Sequence, residues 1–387
     1  MALESFRSEV QAWLEESCPS SCREPVDGSP RRVPPSDELA LWRRRMRDRG
    51  FICPAWPREY GGAGLGAAEA RVLADELRGI GAEPVGSGFG VSMLGPVLLE
   101  YGTEAQKREH LPPIARGQIQ WCQGYSEPGA GSDLASLQTR AVREGDHYVV
   151  NGQKIWTSGA QNADWIFCLV RTDPKAPKHD GISFLLFDLK TAGVTIRPIR
   201  LISGASPFCE VFFENVRAEA RNLIGRENGG WTIAKRLLQH ERTMIASNAG
   251  IRATGPSLAA LARSYLGEVE GRIADPLLRD RVAQLEMDRL CFDAMRRRSA
   301  EEARGSQGPG HAASVLKLYG SEMSKRSNEL VISILGAQGL GWEGDAFSSF
   351  ERAATRDWLR SKSATLVGGT SEIQMNVVAK RVLALPD

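Results

Sequence analysis

The sequence has few of the residues that usually bind metals or form disulfides. Its 387 residues include only five histidines and seven cysteines, and both types are scattered along the chain. The cysteines form no C-x-x-C pair, which favours a reducing compartment over a disulfide framework. No group of these residues has the spacing of metal ligands, so we expect no metal site.

Long apolar runs and blocks of like charge are also missing. No stretch approaches the roughly 20 apolar residues of a membrane-spanning helix, so no membrane insertion is expected. The N-terminal segment MALESFRSEVQAWLEE mixes acidic and apolar residues and does not have the apolar core of a signal peptide. The net charge of +2 is no nucleic-acid signature, and nucleic acid is not an expected partner. These absences predict a cytoplasmic protein.

The pattern of apolar residues changes twice along a chain of ordinary globular composition. Residues 1–118 have mostly helical spacing, which predicts an N-terminal all-helical domain. Residues 119–228 contain short runs rich in β-branched and aromatic residues, which predict a central β domain. Residues 229–387 return to long helical patterns and predict a C-terminal helical bundle. The expected fold class is therefore α+β and multidomain.

Two stretches of the central block are suited to a flat ligand. WCQGYSEPGAGSDLASL combines small and hydroxyl residues with an acid, so its backbone can approach a ligand closely. HYVVNGQKIWTSG contains Asn151-Gly152, a hairpin signal, and ends on an aromatic residue beside hydroxyls. A flavin ring near Trp156, hydrogen-bonded by Ser126 and Ser158, would suit this pattern. Taken alone, each stretch is also typical of a structured loop.

The segment ATLVGGTSEIQMN places two glycines directly before a helix start. Ser371 and Gln374 fit a capping box, so we expect a helix to begin at Thr370 or Ser371. Glycine lets the backbone approach a ligand, and helix N-termini attract phosphate or carboxylate. Two interpretations are open at this point: an anionic ligand bound by the loop, or a tight turn into a terminal helix.

These motifs, in this order along essentially the whole chain, resemble those of the acyl-CoA dehydrogenase family. LPPIARGQ, SEPGAGSD, NGQKIWTSGA and GGTSEIQ carry the resemblance. It implies a central β-barrel or β-sandwich domain and a C-terminal four-helix bundle. It also implies a flavoprotein oxidoreductase of fatty acid or lipid metabolism, with FAD bound non-covalently at a subunit interface. The expected partners are an acyl-CoA substrate and an electron-transfer flavoprotein as electron acceptor, and the expected assembly is a homodimer, homotetramer or heterotetramer.

The resemblance assigns cofactor-binding residues one by one. Those expected to face the flavin are Tyr125, Ser126, Trp156, Thr157 and Ser158, with Ser132 where the flavin meets the CoA chain. Those expected to hold the nucleotide side of a neighbouring subunit's FAD are Thr370, Ser371 and Glu372. Many relatives cover the FAD pyrophosphate with an Arg and a Phe, where this chain has EGRIADPLL and Arg272 is the nearby candidate. Gly336 is kept in SILGAQG, although Ser333 stands where relatives often carry Gln.

The catalytic base is the largest departure from the family pattern. Many members carry the base glutamate directly before the Gly-Thr pair, and this chain has Gly368 there. Removal of the α-proton of a thioester requires a positioned base. Glu241 lies on an apolar stripe at helical spacing after Gly229, and some members carry their base on this helix in a Glu-Arg pair like Glu241-Arg242. The competing interpretation is a buried Glu241 paired with an arginine of the next helix.

The same departure bears on the substrate. Gly368 keeps a backbone N–H for the thioester carbonyl, so Gly368 and Gly369 join Arg242 and Ser132 as candidate substrate contacts. The missing side chain at Gly368 leaves room for branched or bulky acyl groups, unless other side chains refill the space. Two alternatives to a dehydrogenase are an oxygen-using flavoenzyme on the same fold and a non-catalytic or cofactor-supporting subunit of a heteromer.

Overall fold

The computed structural model describes residues 2–24, 33–86, 88–248, 257–302 and 312–386. The chain forms two compact units. The first contains Met1–Glu127, Leu137–Ile196 and Val211–Ala234, and the second contains Pro128–Ser136, Arg197–Glu210 and Lys235–Asp387. The domain boundaries expected at 118/119 and 228/229 stay predictions.

The N-terminal part of the first unit is helical, as its apolar spacing predicts. Its helices are α1 Ala2–Ser17, α2 Ser36–Asp48, α3 Ala67–Gly79, α4 Gly95–Tyr101 and α5 Glu104–Ala115. Trp42 is fully buried in an apolar cluster with Val10, Leu14 and Leu73. The buried Gln106 side chain of α5 donates to the carbonyls of Arg221 and Leu223 at 2.7 and 2.8 Å, which fixes this helix to the β-rich part of the same unit.

An eight-stranded sheet forms the centre of the chain. Its strands are β1 Trp121–Gly124, β2 Arg140–Glu144, β3 His147–Ser158, β4 Trp165–Arg171, β5 Ile182–Asp188, β6 Val194–Ile199, β7 Phe208–Glu219 and β8 Leu223–Ile224. The order is β6-β7-β3-β2-β4-β5-β8, and β1 pairs in parallel with β4. Phe167 of β4 and Phe184 of β5 stack with ring centroids 6.0 Å apart. The nearly continuous apolar runs of β4 and β5 are explained by their burial.

The prediction of a hairpin turn at Asn151-Gly152 is wrong. Both residues lie inside β3, where Asn151 pairs with Arg140 of β2, and the chain reverses instead between Glu144 and His147. Gly152 has φ 150°, and a Cβ there would lie 2.6 Å from the Thr139 hydroxyl oxygen. The glycine therefore permits a close approach of two backbones and does not form a turn.

The C-terminal part of the chain is helical. It contains α6 Gly230–Asn248, α7 Leu258–Leu266, a short hairpin of β9 Glu268–Val269 and β10 Arg272–Ile273, α8 Pro276–Glu302, α9 Ala312–Leu335, α10 Ser349–Ser361 and α11 Ser371–Val377. Its core includes the buried Ala262, Phe292 and Ile334. The helical, sheet and helical order confirms the expected fold class. Within the ranges described, no helix is both long and apolar enough to span a membrane.

Candidate active site

The loop after β1 is bonded to the end of β3. The Ile155 N–H donates to the Ser126 carbonyl at 2.9 Å, and Lys154 Nζ donates to the Tyr125 carbonyl at 3.0 Å. These bonds place Tyr125 and Ser126 beside the strand that continues into Trp156, Thr157 and Ser158. The structure thus brings together five of the residues expected to face the flavin.

A buried ion pair fixes this arrangement. Lys154 Nζ lies 2.7 Å from Glu127 Oε1, and the two side chains are 0% and 9% exposed. Glu127 also accepts hydrogen bonds from the N–H groups of Gln138 and Thr139 at 2.6 and 2.9 Å. Burial opposes ionisation of Glu127, but the Lys154 charge and these hydrogen bonds outweigh it and hold the pKa of Glu127 below its usual range. Sequence reasoning missed this pair, although SEPG and NGQKIW both contain one member of it.

The end of β3 carries an exposed aromatic residue followed directly in sequence by a buried hydroxyl residue. Trp156 has φ 61°, a conformation rare outside glycine, and its side chain is 53% exposed. Thr157 is 1% exposed, and its hydroxyl oxygen has no hydrogen-bond partner among the residues that the structure describes. A buried polar atom usually has a partner, so this one indicates a ligand or water. Backbone strain of this kind is concentrated at functional sites.

In the second unit, the two glycines before α11 both have left-handed backbone. Gly368 has φ 65° and Gly369 has φ 92°. Thr370 caps α11, because its hydroxyl accepts a hydrogen bond from the Ile373 N–H at 3.3 Å. The helix begins at Ser371 as expected, but the prediction of a capping box formed by Ser371 and Gln374 is wrong. The Gln374 side chain turns instead to the glycine carbonyls.

Buried polar groups surround this glycine loop. Ser371 is 8% exposed and Gln374 is 2% exposed, and their Oγ and Oε1 atoms have no hydrogen-bond partner within the described part of the chain. Lys317 of α9 is 2% exposed, and its Nζ donates to the Gly369 carbonyl at 2.5 Å. Sequence reasoning missed Lys317 and the role of Gln374, because neither could be connected to the loop from spacing alone.

The remaining candidates are distributed over several elements. Glu241 lies on α6 and is half-buried, one turn after the fully buried Leu237. The side chain of Arg242 lies outside the described residues. Ser132 and Arg272 are exposed, the latter in β10, and Gly336 is exposed with φ 56° directly after α9. Glu372 is exposed, and hydrogen bonds from its own backbone N–H and from Thr370 lower its pKa.

Comparison with known proteins decides the family. Family models match residues 2–118 (acyl-CoA dehydrogenase, N-terminal domain), 122–216 (middle domain) and 228–383 (C-terminal domain). Acyl-CoA dehydrogenase IpdE1 of Mycobacterium tuberculosis is 36% identical over 99% of this chain and 98% of that protein. The chain belongs to the acyl-CoA dehydrogenase family. This acyl-CoA dehydrogenase is therefore an oxidoreductase and a flavoprotein of lipid metabolism.

Solved structures of the family have the same fold. The steroid ACAD Tcur3481-Tcur3483 is 32% identical, with a TM-score of 0.78 over 100% of this chain and 98% of that one. The ChsE4-ChsE5 complex of Mycobacterium tuberculosis is 30% identical, with a TM-score of 0.74 and the same coverage of 100% and 98%. The resemblance first seen in four motifs thus extends over the complete chain.

The residues present fit the FAD that acyl-CoA dehydrogenases bind. The exposed Trp156 ring offers a stacking surface, and the hydroxyl of the next residue in sequence, Thr157, is buried and needs a hydrogen-bond partner. In the second unit, Ser371 Oγ is also buried without a hydrogen-bond partner among the described residues. A flavin ring would be the partner of the first group, and the resemblance implies that the nucleotide part of a neighbouring subunit's FAD would be the partner of Ser371.

Proposed function

We propose that this acyl-CoA dehydrogenase oxidises an acyl-CoA thioester to a trans-2-enoyl-CoA with non-covalently bound FAD. The observations that carry the proposal are the exposed Trp156 and, at the next position in sequence, the buried Thr157 hydroxyl, which has no partner among the described residues. Tyr125, Ser126 and Ser158 extend this flavin side. Ser132, Arg272, Gly336, Thr370, Ser371 and Glu372 are the further cofactor-binding residues of the proposal.

Glu241 supplies the base. Its carboxylate takes the α-proton of the acyl group, and the electron pair of that C–H bond becomes the second bond between the α- and β-carbons. Bound FAD would supply the acceptor for the hydride that leaves the β-carbon. Backbone N–H groups of the Gly368-Gly369 loop stabilise the negative charge that develops on the thioester oxygen. Arg242 and Ser132 are the other substrate contacts that we propose.

The substrate is a branched or bulky acyl-CoA rather than a short straight chain. Gly368 has no side chain at the position where many members carry the base. This leaves space for the acyl group beside the thioester. The similarity to the steroid ACAD Tcur3481-Tcur3483 at 32% identity supports a polycyclic acyl group. A preference for butyryl- or hexanoyl-CoA over every branched or polycyclic thioester would rule this out.

The enzyme works as an oligomer that shares FAD sites between subunits and passes its electrons to an electron-transfer flavoprotein. All seven cysteines are free, which supports a reducing compartment such as the cytoplasm. One observation favours a heteromer: the ChsE4-ChsE5 structure, 30% identical to this chain, is a complex of two named partners. The second candidate function is therefore a cofactor-supporting subunit that needs an unlike chain to complete its sites.

Anaerobic titration of the purified protein with a panel of acyl-CoAs tests the proposal. Loss of the oxidised flavin absorbance with a branched or polycyclic acyl-CoA is the expected result. Size-exclusion chromatography with flavin quantification separates the two candidates. A homomer that holds FAD and is reduced is the enzyme itself, whereas a chain that neither holds nor takes up FAD alone is the supporting subunit.

A further inference from the structure

A buried histidine lies where helix α5 packs on the sheet. His110 of α5 is 1% exposed, and its ring centroid lies 5.6 Å from that of Trp121 and 5.3 Å from that of Trp165. The two tryptophans are paired residues of the parallel strands β1 and β4. The proposed reaction assigns no role to His110, so its place between a helix and two strands needs another explanation.

The segment before β8 forms the other side of this contact. Gln106 donates to the carbonyls of Arg221 and Leu223, and Arg221 Nη1 lies 2.5 Å from Glu109 Oε2. All these residues belong to the first compact unit. We call the following set the α5 junction: residues 106–110, Trp121, Trp165 and residues 219–223.

The junction contains buried polar atoms without hydrogen bonds. His110 Nε2, Trp121 Nε1 and Asn222 Oδ1 are buried and have no hydrogen-bond partner in the ranges that the structure describes. A neutral imidazole tolerates such surroundings, because only one of its ring nitrogens carries a proton. An imidazolium has a charge and two N–H donors, and burying these without partners is costly. The closed junction therefore suits neutral His110 and opposes its protonation.

The charged groups of α5 and of the segment before β8 do not compensate for this cost. Burial lowers the pKa of His110 below its ordinary value of 6.5 and is the largest influence on it. Glu109 and Asn222 act in the opposite direction, while Arg221 acts in the same direction as burial. Glu109 is also paired with Arg221, so its charge is shared with a cation.

The strands offer His110 mainly aromatic rings. The ionisable groups beside the two tryptophans are the buried Cys122 of β1 and Asp164, which precedes β4. The Asp164 carboxylate accepts from the Gln120 N–H at 3.0 Å and lies 3.4 Å from Lys190 Nζ. The face of a tryptophan ring attracts a cation, which is a force that would favour protonation. The experiment below decides between this attraction and the cost of burial.

We propose that His110 is a pH-sensitive latch: neutral His110 keeps the α5 junction closed, and protonation of His110 opens it. The latch is independent of the proposed reaction. Its opening loosens the start of β1, and β1 runs from Trp121 to the loop that contains Tyr125 and Ser126. The loop expected to face the flavin therefore follows directly on a strand that the latch holds.

The direction of the pH effect follows from proton binding. An opened junction exposes His110, which then binds a proton more readily than in the closed state. The closed junction is therefore fully favoured above the ordinary histidine value of 6.5 and loses stability as the pH falls towards the lower folded-state pKa. One such proton changes the opening equilibrium by up to about tenfold per pH unit.

Hydrogen exchange of the purified full chain tests the latch. Peptides covering residues 104–115 and 219–224 are followed from about pH 7.5 to about pH 5.5, with rates corrected for intrinsic exchange. We expect a constant opening equilibrium above pH 6.5 and a rise by up to about tenfold over the next pH unit below it. His110→Phe should abolish this rise, because phenylalanine does not titrate.

His179→Gln is the matched control. His179 also lies against a tryptophan, with ring centroids 5.0 Å from those of Trp231, but it is exposed. This variant should show the same rise as the parent. The proposal is overturned by a parent without the rise, by an equal rise in His110→Phe, or by a rise of equal size throughout the first unit.

A second measurement follows the proton itself. The chain has five histidines, and nuclear magnetic resonance of the parent with ¹³C-labelled histidine resolves their titrations. The His110 signal, identified by its absence in His110→Gln or His110→Phe, should titrate below pH 6.5, in the range where exchange at the junction rises. A midpoint at or above that value would show that the Trp rings and Glu109 stabilise the imidazolium in the closed junction, and the latch would be wrong.

Discussion

Glu127 and Lys154 form an ion pair that is almost completely buried, with 2.7 Å between Lys154 Nζ and Glu127 Oε1. The pair connects the loop after β1 to β3, because Lys154 also donates to the Tyr125 carbonyl and Glu127 accepts from the N–H groups before β2. The flavin side of the proposed site is therefore built around two charges that are almost completely removed from water. Such a pair is costly to break from one side only.

Lys154→Met should destabilise the protein strongly, because it leaves the Glu127 carboxylate buried without its cation. We expect a loss of about 3–5 kcal/mol in the free energy of unfolding. Lys190→Met is the matched control, since Lys190 is 78% exposed and lies 3.4 Å from Asp164; exposed pairs contribute less than about 1 kcal/mol. Urea denaturation of both variants measures the difference. Similar losses in the two variants would show that burial of the Glu127-Lys154 pair carries no special weight.

Lys154→Met should also change how the stability of the protein depends on pH. In the parent, the pKa of Glu127 is held below its ordinary value of 4.5. A lowered carboxylate pKa contributes stability above the unfolded-state value, and this contribution is lost as the pH falls through the folded-state pKa. Without Lys154, burial raises the pKa of Glu127, so stability should fall less steeply below pH 4.5. Denaturation at a series of pH values tests this, and equal slopes in variant and parent would refute it.

Thr157→Val should not destabilise the FAD-free protein, but it should weaken the binding of FAD. The Thr157 hydroxyl is buried without a partner among the described residues, so its removal should leave the FAD-free protein equally stable or more stable. FAD affinity should fall, by about tenfold for one lost hydrogen bond of roughly 1.4 kcal/mol.

Thr139→Val is the control for this prediction, because the Thr139 hydroxyl is buried but donates to the Gln153 carbonyl at 3.3 Å. It should destabilise the FAD-free protein and leave FAD affinity unchanged. Thermal melts without FAD and fluorescence titration with FAD give both quantities. A destabilised Thr157→Val with parental FAD affinity would assign Thr157 a structural role only.

Gly369→Ala should lower the free energy of unfolding by more than backbone strain alone accounts for. Gly369 and Gly344 have nearly equal φ values, 92° and 91°, but a Cβ on Gly369 would lie 2.5 Å from Gln374 Nε2, whereas one on Gly344 would have no described atom within 4 Å. Left-handed backbone costs a residue with a side chain about 1–2 kcal/mol in both variants. The excess loss in Gly369→Ala measures the contact with Gln374. Equal unfolding free energies would mean that Gln374 moves aside freely.

The sequence predicted those features that depend on local periodicity or on a complete motif. The helical, sheet and helical order follows from apolar spacing, and the start of α11 at Ser371 follows from the residues around it. The turn at Asn151-Gly152 failed because pairing with β2 and the close approach of Thr139 override the local turn preference. The residues next to Asn151 and Gly152 in sequence do not indicate such partners.

The contacts that position the candidate site join residues distant in sequence. Lys317 and Gly369 are 52 residues apart, and Glu127 and Lys154 are 27 apart. A single sequence contains no signal that pairs them, since each residue alone is equally suited to a solvent-exposed surface. The role of Glu241 as base, and those of the other site residues, stay predictions that rest on family resemblance and helix position.

The most direct test of the account is the reductive half-reaction of Glu241→Gln. The amide is nearly isosteric with the carboxylate but cannot accept the α-proton, so FAD should stay bound while the rate of reduction by an acyl-CoA falls by about 10²- to 10⁴-fold. Glu343→Gln, at an exposed glutamate of the same helical unit, should keep the parental rate. Stopped-flow absorbance under anaerobic conditions measures all three proteins. Equal rates of flavin reduction in Glu241→Gln and the parent would show that another group takes the proton.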